Sequence, residues 1–212
     1  VYGGLSFYER KEVKDAIAYF RMTVNPNDDE AFRRVVNYPA RGIGNTTLEK
    51  LMSVATNNGI SLWETVNTFA AKELGVSATT YGRISKFVAM INGFAAKAGE
   101  LDAYALGNEI LEESGVRTEI VTDTSDLSRK ENLDELINAL YDFVAQETET
   151  NGSAENATIE NYLADVALLT DADKNDADKE KVSLMTIHSA KGLEFSAVCI
   201  VGLEEEIFPG HQ

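Results

Sequence analysis

Cysteine and histidine are scarce in this sequence of 212 residues, which contains one cysteine, Cys199, and two histidines, His188 and His211. So few sulfur and imidazole donors argue against a zinc site, and we expect no metal ligands. Cys199 falls inside the apolar run 197–202, so we predict that it is a small core residue in a reducing compartment.

Long apolar stretches are missing as well. No run of 18 apolar residues occurs, so we expect no membrane span. The chain begins at Val1 without the basic and then apolar pattern of a secretory signal, and we expect it to be a piece of a longer protein. Hydrophobic residues make up 44% and charged residues 25% of the sequence, as in ordinary globular proteins.

The motifs of several enzyme classes are also missing. No G-x-x-x-x-G-K-[ST] occurs, so the chain lacks a Walker loop that would grip the phosphates of a nucleotide. No G-x-S-x-G occurs, although Ser189 directly follows His188. The many carboxylates show no spacing that identifies an acid–base pair. The residues by themselves therefore do not identify an enzyme.

Positive charge is in the minority, with 19 Lys and Arg against 35 Asp and Glu and a net charge of −16. The imbalance is local: residues 100–180 hold 22 acidic and five basic residues, whereas residues 1–99 hold nine acidic and 12 basic ones. A phosphate-binding face therefore belongs in the first hundred residues. The acidic block predicts a solvated or repelling surface.

Apolar residues three or four positions apart predict a mainly α-helical chain. Gly115 is predicted to end one helix, and the polar stretch 147–158 is predicted to be a mobile loop. The aromatic side chains fit a core better than a stacking platform. The predicted helices cover 9–22, 30–36, 51–56, 62–74, 80–98, 101–114, 129–145 and 159–169, a solvated connector covers 171–181, and the predicted core aromatics are Trp63, Phe69, Phe87, Phe94 and Tyr104.

Residues 35–51 resemble a helix-hairpin-helix motif, in which a helix, a tight Gly-Ile-Gly turn and a second helix follow one another. The glycines let the backbone approach a phosphate, and the N–H groups that open the second helix face the anion. Such contacts would be blind to DNA sequence. The same pattern also fits an ordinary helix connection, and the residues leave both interpretations open. The candidate phosphate contacts are Arg41, Gly42, Ile43, Gly44, Asn45, Thr46, Thr47 and Lys50.

Near the end of the chain, two apolar runs flank a short polar crossover. Residues 182–187 and 197–202 predict neighbouring strands of an α/β sheet. Ligands collect at the carboxyl ends of such strands, where we expect His188, Lys191 and Glu194.

Four segments resemble the superfamily 1A DNA helicases of the UvrD/PcrA/Rep type, in the family's order and at similar spacing. Residues 186–195 (TIHSAKGLEF) resemble the family's motif V and lead into 202–209 (GLEEEIFP). The other three are 2–15, which is similar to the family's passage into its inserted domain, 39–47, which is similar to the hairpin within it, and 131–136, which is similar to a later helix start.

The resemblance implies that the parent is an ATP-dependent helicase that moves 3′ to 5′ on single-stranded DNA, opens duplexes and uses ATP and Mg²⁺. It implies a cytoplasmic, nucleoid-associated bacterial protein acting in repair or replication, with DNA-repair proteins as possible partners. Residues 1–8 and 181–212 would be edges of the second motor domain (2A), the latter carrying short β and α pieces. Residues 9–180 would be the helical insertion called 2B.

Residue roles follow from the same resemblance. Thr186 and His188 would contact single-stranded DNA, and Glu194 would bind the ATP ribose with Gly192 and Lys191 beside it. Lys191 could instead cap a turn or pair with a carboxylate. Residues 42, 43, 44 and 47 would contact duplex phosphates.

The family's Walker loop, acidic Mg²⁺-binding motif and arginine finger lie outside this sequence. We therefore expect a monomeric fragment that has no catalytic residue, binds no cofactor and hydrolyses no ATP. Two alternatives remain: a piece of a recombination helicase-nuclease, or an adaptor that binds duplex DNA without a motor.

Overall fold

The computed structural model describes residues 7–123, 126–175 and 198–199, with the backbone alone over 169–175. The chain divides into two compact units, Gly4–Asp178 and a second made of Val1–Gly3 with Lys179–Gln212. The described helices all belong to the first unit. The predicted strand 182–187 and motif V residues 186–195 lie outside the described residues.

The described part of the chain forms nine α-helices, one 3₁₀ helix and no strand, so the predicted mainly α fold is confirmed. The helices are α1 (Lys11–Val24), α2 (Asp29–Val35), α3 (Asn45–Asn58), α4 (Leu62–Thr68), α5 (Ala78–Lys97), α6 (Ala103–Glu113), α7 (Val116–Thr122), α8 (Leu127–Asn151) and α9 (Ile159–Asn175), with the 3₁₀ helix Ala154–Asn156 between α8 and α9.

Helix α1 is the centre of the helical unit. It packs against α2, α5, α6, α8 and α9, so more than one of its faces is covered. Tyr19, Phe20 and Met22 are fully buried, and each contributes about 1.5–3 kcal/mol through the burial of its side chain. A helix that is apolar on several sides belongs inside a bundle rather than on its surface.

Two acidic residues of α1 are also buried, and both have partners. Arg34 donates from Nε to the Asp15 carboxylate at 2.7 Å. Asn132 on α8 donates to Glu12, and Arg10 donates to the Asn132 side-chain oxygen. These contacts link the start of α1 to α2 and α8, and they keep buried carboxylates from being isolated.

Helices α6 and α8 pack closely because Gly107 has no side chain. A Cβ atom at Gly107 would lie 2.6 Å from Cδ1 of Leu140 and 3.6 Å from Cζ of Phe20. Leu106, Ile110 and Leu136 complete this buried contact region.

Several predicted boundaries shift. Helix α4 stops at Thr68, because Phe69 turns extended and the Glu73 carboxylate accepts from the N–H of Ala70. Helix α8 runs on to Asn151, so the loop predicted from residue 147 is wrong over its first residues. Its polar end lies in water and stops at Gly152, whose φ is +68°.

Helix α9 continues to Asn175, into the stretch predicted as a connector. Helix α7 was not predicted. Gly115, with φ +84°, ends α6 and turns the chain, after which Val116 and Ile120 bury one short helical face.

Two burial predictions are wrong. Cys199 is exposed, and its neighbour Val198 is 68% exposed. Tyr104 lies on the outer side of α6 and is 37% exposed, whereas Phe87 and Phe94 are buried as predicted. Among the described helices, none has both the length and the apolar character needed to cross a bilayer.

Candidate nucleic-acid interface

The chain between α2 and α3, residues 36–44, forms a compact turn, which we call the 36–44 turn. The Asn37 side-chain oxygen accepts hydrogen bonds from the backbone N–H of Arg41 at 2.9 Å and of Ile43 at 3.0 Å. The Tyr38–Pro39 peptide bond is cis. One amide side chain therefore organises the turn from within.

The two glycines of the turn differ in their roles. Gly42 has a φ of +70°, which glycine adopts without strain. Gly44 has an ordinary extended conformation, and a Cβ atom there would meet nothing within 4 Å. Ile43 between them is buried at 2% exposure and anchors the turn to the core. Gly44 thus leaves open space in front of α3.

No side chain among the described residues caps the start of α3. The N–H groups of Thr47 and Leu48 bond to the carbonyl of Gly44, at 2.9 and 3.2 Å. Within the described residues, those of Asn45 and Thr46 have no acceptor. Open N–H groups at the positive end of a 14-residue helix suit an anion. Five other helices have their starts capped by Asp28, Ser61, Ser77, Asp102 and Asp126.

Arg41 turns its side chain inward. Its guanidinium donates to the carbonyls of Val35, Tyr38, Pro39 and Ser114 at 2.8–3.3 Å. It also lies over the rings of Tyr19 and Phe87, at 5.8 and 5.6 Å from their centroids. These contacts hold the turn against the core. The prediction that Arg41 itself touches phosphate is not supported by this geometry.

Arg83 on α5 lies at the outer side of the turn. Its Nη1 donates to the Gly42 carbonyl at 3.0 Å, and the side chain is exposed. Sequence reasoning missed this residue, because 41 positions separate it from Gly42 and no local pattern connects them. Lys50, one of the predicted residues, is exposed and donates to the Gly75 carbonyl at 2.6 Å. Arg83 therefore lies beside the turn that leads into α3, and Lys50 lies on the second turn of that helix.

Tyr38 ties the turn to α8. The Tyr19 hydroxyl donates to the Tyr38 carbonyl, and Arg129 donates from Nη2 to the Tyr38 hydroxyl at 3.1 Å. Burial raises the pKa of Tyr38 and raises the pKa of Tyr19 to about 12, so both phenols keep their protons at neutral pH. The hydrogen bonds of these two phenols therefore do not titrate near neutral pH.

The predicted hairpin residues come together in the structure. Asn45 and Thr46 are exposed and Thr47 is half-buried on the first turn of α3, with Lys50 one turn further on. The predicted motif V residues Thr186, His188, Lys191, Gly192 and Glu194 lie outside the described residues. Within the described part of the chain, no group of three His, Cys, Asp or Glu residues could hold a metal ion.

A helical domain with an uncapped helix start and an exposed arginine beside the preceding turn is a candidate phosphate-binding module. Comparison with known proteins gives the family. The chain belongs to the UvrD-like helicase C-terminal domain family, whose model matches residues 1–212, so the predicted family is confirmed.

Three curated relatives resemble the chain over nearly all its length. The ATP-dependent DNA helicase PcrA of Bacillus subtilis is 37% identical over 217 residues, covering 99% of this chain and 28% of the relative. DNA helicase II of Escherichia coli is 34% identical, with 99% and 29% covered. PcrA of Staphylococcus aureus (strain Mu50) is 35% identical, with 98% and 28% covered. The chain thus spans less than a third of these relatives.

Proposed function

We propose that this chain is the part of an ATP-dependent DNA helicase that holds duplex DNA through the 36–44 turn and the start of α3. The observation that carries the proposal is that the N–H groups of Asn45 and Thr46 have no partner in the described part of the chain. Backbone N–H groups would donate to phosphates rather than to bases, so the proposed binding is independent of DNA sequence. The turn would then act as a helix-hairpin-helix element.

The relatives support a helicase parent that uses ATP and Mg²⁺. We propose for it 3′ to 5′ movement on single-stranded DNA in the cytoplasm, with residues 9–180 as the 2B insertion between edges of the second motor domain. Thr186 and His188 would contact the single strand, and Glu194 would bind the ATP ribose beside Lys191 and Gly192. The chain alone would hydrolyse no ATP, since it contains no Walker loop.

Within the duplex site, the roles of the two arginines differ. Arg83 has an exposed guanidinium beside Gly42 and supplies the positive charge that we had expected from Arg41. Arg41 positions the turn through its carbonyl contacts. Lys50 is a second exposed cation, on the second turn of α3. Phosphate binding therefore combines backbone donors with side-chain charge.

The test is a Gly44→Ala variant. The methyl group has room in the free protein, so the helical unit keeps its fold. In the proposed complex it would crowd a phosphate that approaches the N–H groups of Asn45 and Thr46. We expect at least about tenfold weaker binding of fluorescent duplex DNA at low salt, as expected when charge-assisted hydrogen bonds are lost. Fluorescence anisotropy measures the binding, and circular dichroism checks the fold.

Gly93→Ala is the matched control. It adds the same methyl group in open space on α5, and we expect unchanged duplex binding. If Gly44→Ala binds duplex DNA as tightly as the unaltered chain does, the start of α3 is not the phosphate site.

A further inference from the structure

The outer side of the α6–α8 pair carries two exposed tyrosines in contact with each other. Tyr104 is 37% exposed and Tyr141 is 59% exposed. Their ring centroids lie 5.5 Å apart at an interplanar angle of 77°, which is an edge-to-face arrangement. The pair leaves aromatic surface in water, and tyrosine is enriched where proteins contact one another.

Exposed carboxylates lie along α8 on either side of Tyr141. Asp134 lies seven residues before Tyr141, on the same stripe of the helix and about 10 Å along its axis, and Glu149 lies about 12 Å beyond Tyr141 and about a quarter turn around. Asp142 is the next residue along the chain. All three acidic residues are exposed, and no Lys or Arg in the described part of the chain pairs with them.

From residue 131 onward, the charged residues of α8 and of the chain as far as residue 173 are all acidic. Residues 131–173 contain 11 Asp and Glu and no Lys or Arg. A polyanion such as DNA, or an anionic membrane, is repelled by such a surface. A cationic protein segment is attracted, and like-charge repulsion excludes wrong partners. Charge complementarity therefore selects the chemistry of the occupant.

We propose that Tyr104, Tyr141, Asp134, Asp142 and Glu149, together the tyrosine face, dock an arginine-containing basic segment of a protein partner. A guanidinium stacks on the tyrosine rings, and further basic side chains of the same segment pair with the carboxylates along α8. Arginine fits better than lysine, because its planar group stacks and its several N–H donors remain available. The face uses no residue of the duplex site, so the proposal stands independently of DNA binding.

The experiment titrates the full 212-residue chain into a fluorescent arginine-rich peptide and, separately, a lysine-rich peptide of equal length and charge. We expect tighter binding of the arginine peptide. The double variant Tyr104→Ala, Tyr141→Ala should weaken that binding by about tenfold, as expected when two cation–π contacts at an interface are removed. The lysine peptide should lose less.

Leu127→Ala is the control, since Leu127 is 70% exposed and lies outside the tyrosine face. Should the double variant fail to fold, Tyr141→Ala alone carries the test, because its ring is the more exposed one. Unchanged affinity in a folded tyrosine variant would overturn the proposal. So would an equal loss with both peptides, which marks mere charge attraction, or the same loss in Leu127→Ala.

Discussion

A guanidinium is required at residue 41 because four carbonyls converge on it from different directions. The planar guanidinium of Arg41 donates to carbonyls of both the turn and the α6–α7 junction, and it also lies over the rings of Tyr19 and Phe87. An ammonium group is a point charge and cannot do all of this at once. The identity of this one side chain therefore fixes the position of the 36–44 turn.

The variant Arg41→Lys should lower the free energy of unfolding by about 2–3 kcal/mol, since hydrogen bonds to charged groups contribute about 1.5–3 kcal/mol each and some are kept. Urea unfolding measures the loss. Arg33→Lys on the exposed side of α2 is the control, with an expected change within about 0.5 kcal/mol. A small effect at residue 41 would mean that the carbonyl contacts are not needed to hold the turn.

Asp15 carries a stability cost that depends on pH. Burial raises its pKa above 3.8, although Arg34 opposes the shift, and its Oδ2 atom has no hydrogen-bond partner among the described residues. The folded state therefore holds this proton more tightly than the unfolded state does. The resulting contribution to stability is fully present below pH 3.8 and is lost as the pH rises through the folded-state pKa.

Asp15→Asn removes this titration while its side-chain oxygen still accepts from Arg34. We expect the variant to gain stability relative to the unaltered chain as the pH rises from below 3.8 to neutral. Urea unfolding of both proteins over that range gives the difference. A difference that does not change with pH, or that changes in the opposite direction, would contradict the assignment of the raised pKa.

At the scale of elements, helices that carried a strong apolar period were predictable, and contacts between distant helices were not. The periodic stretches around Ile91 and Ile110 gave α5 and α6 close to their observed bounds. The role of Arg41 and the contribution of Arg83 could not be predicted, since each depends on a contact across the fold. Helix α7 has only Val116 and Ile120 as its apolar period, too short a signal to detect.

The same glycine-to-alanine change should have opposite effects in two helices. Gly107→Ala forces a methyl group to within 2.6 Å of Leu140 and should destabilise the protein by about 1–3 kcal/mol through overpacking. Gly93→Ala meets nothing within 4 Å and should stabilise it by about 0.5–1 kcal/mol, because glycine loses more backbone entropy in a helix. Thermal or urea unfolding checks both signs. Equal effects would contradict the close α6–α8 packing.

At the scale of the molecule, charge is divided along the chain. The basic residues of the candidate duplex site belong to the first 99 residues, and most of the acidic charge follows in residues 100–180. With a net charge of −16, the chain as a whole repels DNA, so the local cations around α3 must act at short range. This division predicts weak duplex binding that depends strongly on salt.

Two substitutions test whether local or net charge governs duplex binding. Each removes one positive charge, one from the basic part of the chain and one from the acidic part. Arg83→Gln should weaken duplex binding and reduce the slope of log affinity against log salt by about 0.9, the value for one lost phosphate contact on duplex DNA. Lys130→Gln, on the exposed side of α8, changes the net charge equally but should leave that slope unchanged. Anisotropy titrations at several salt concentrations measure both slopes. Equal slopes for the two variants would show that net charge governs binding, in which case the 36–44 turn would have no particular role.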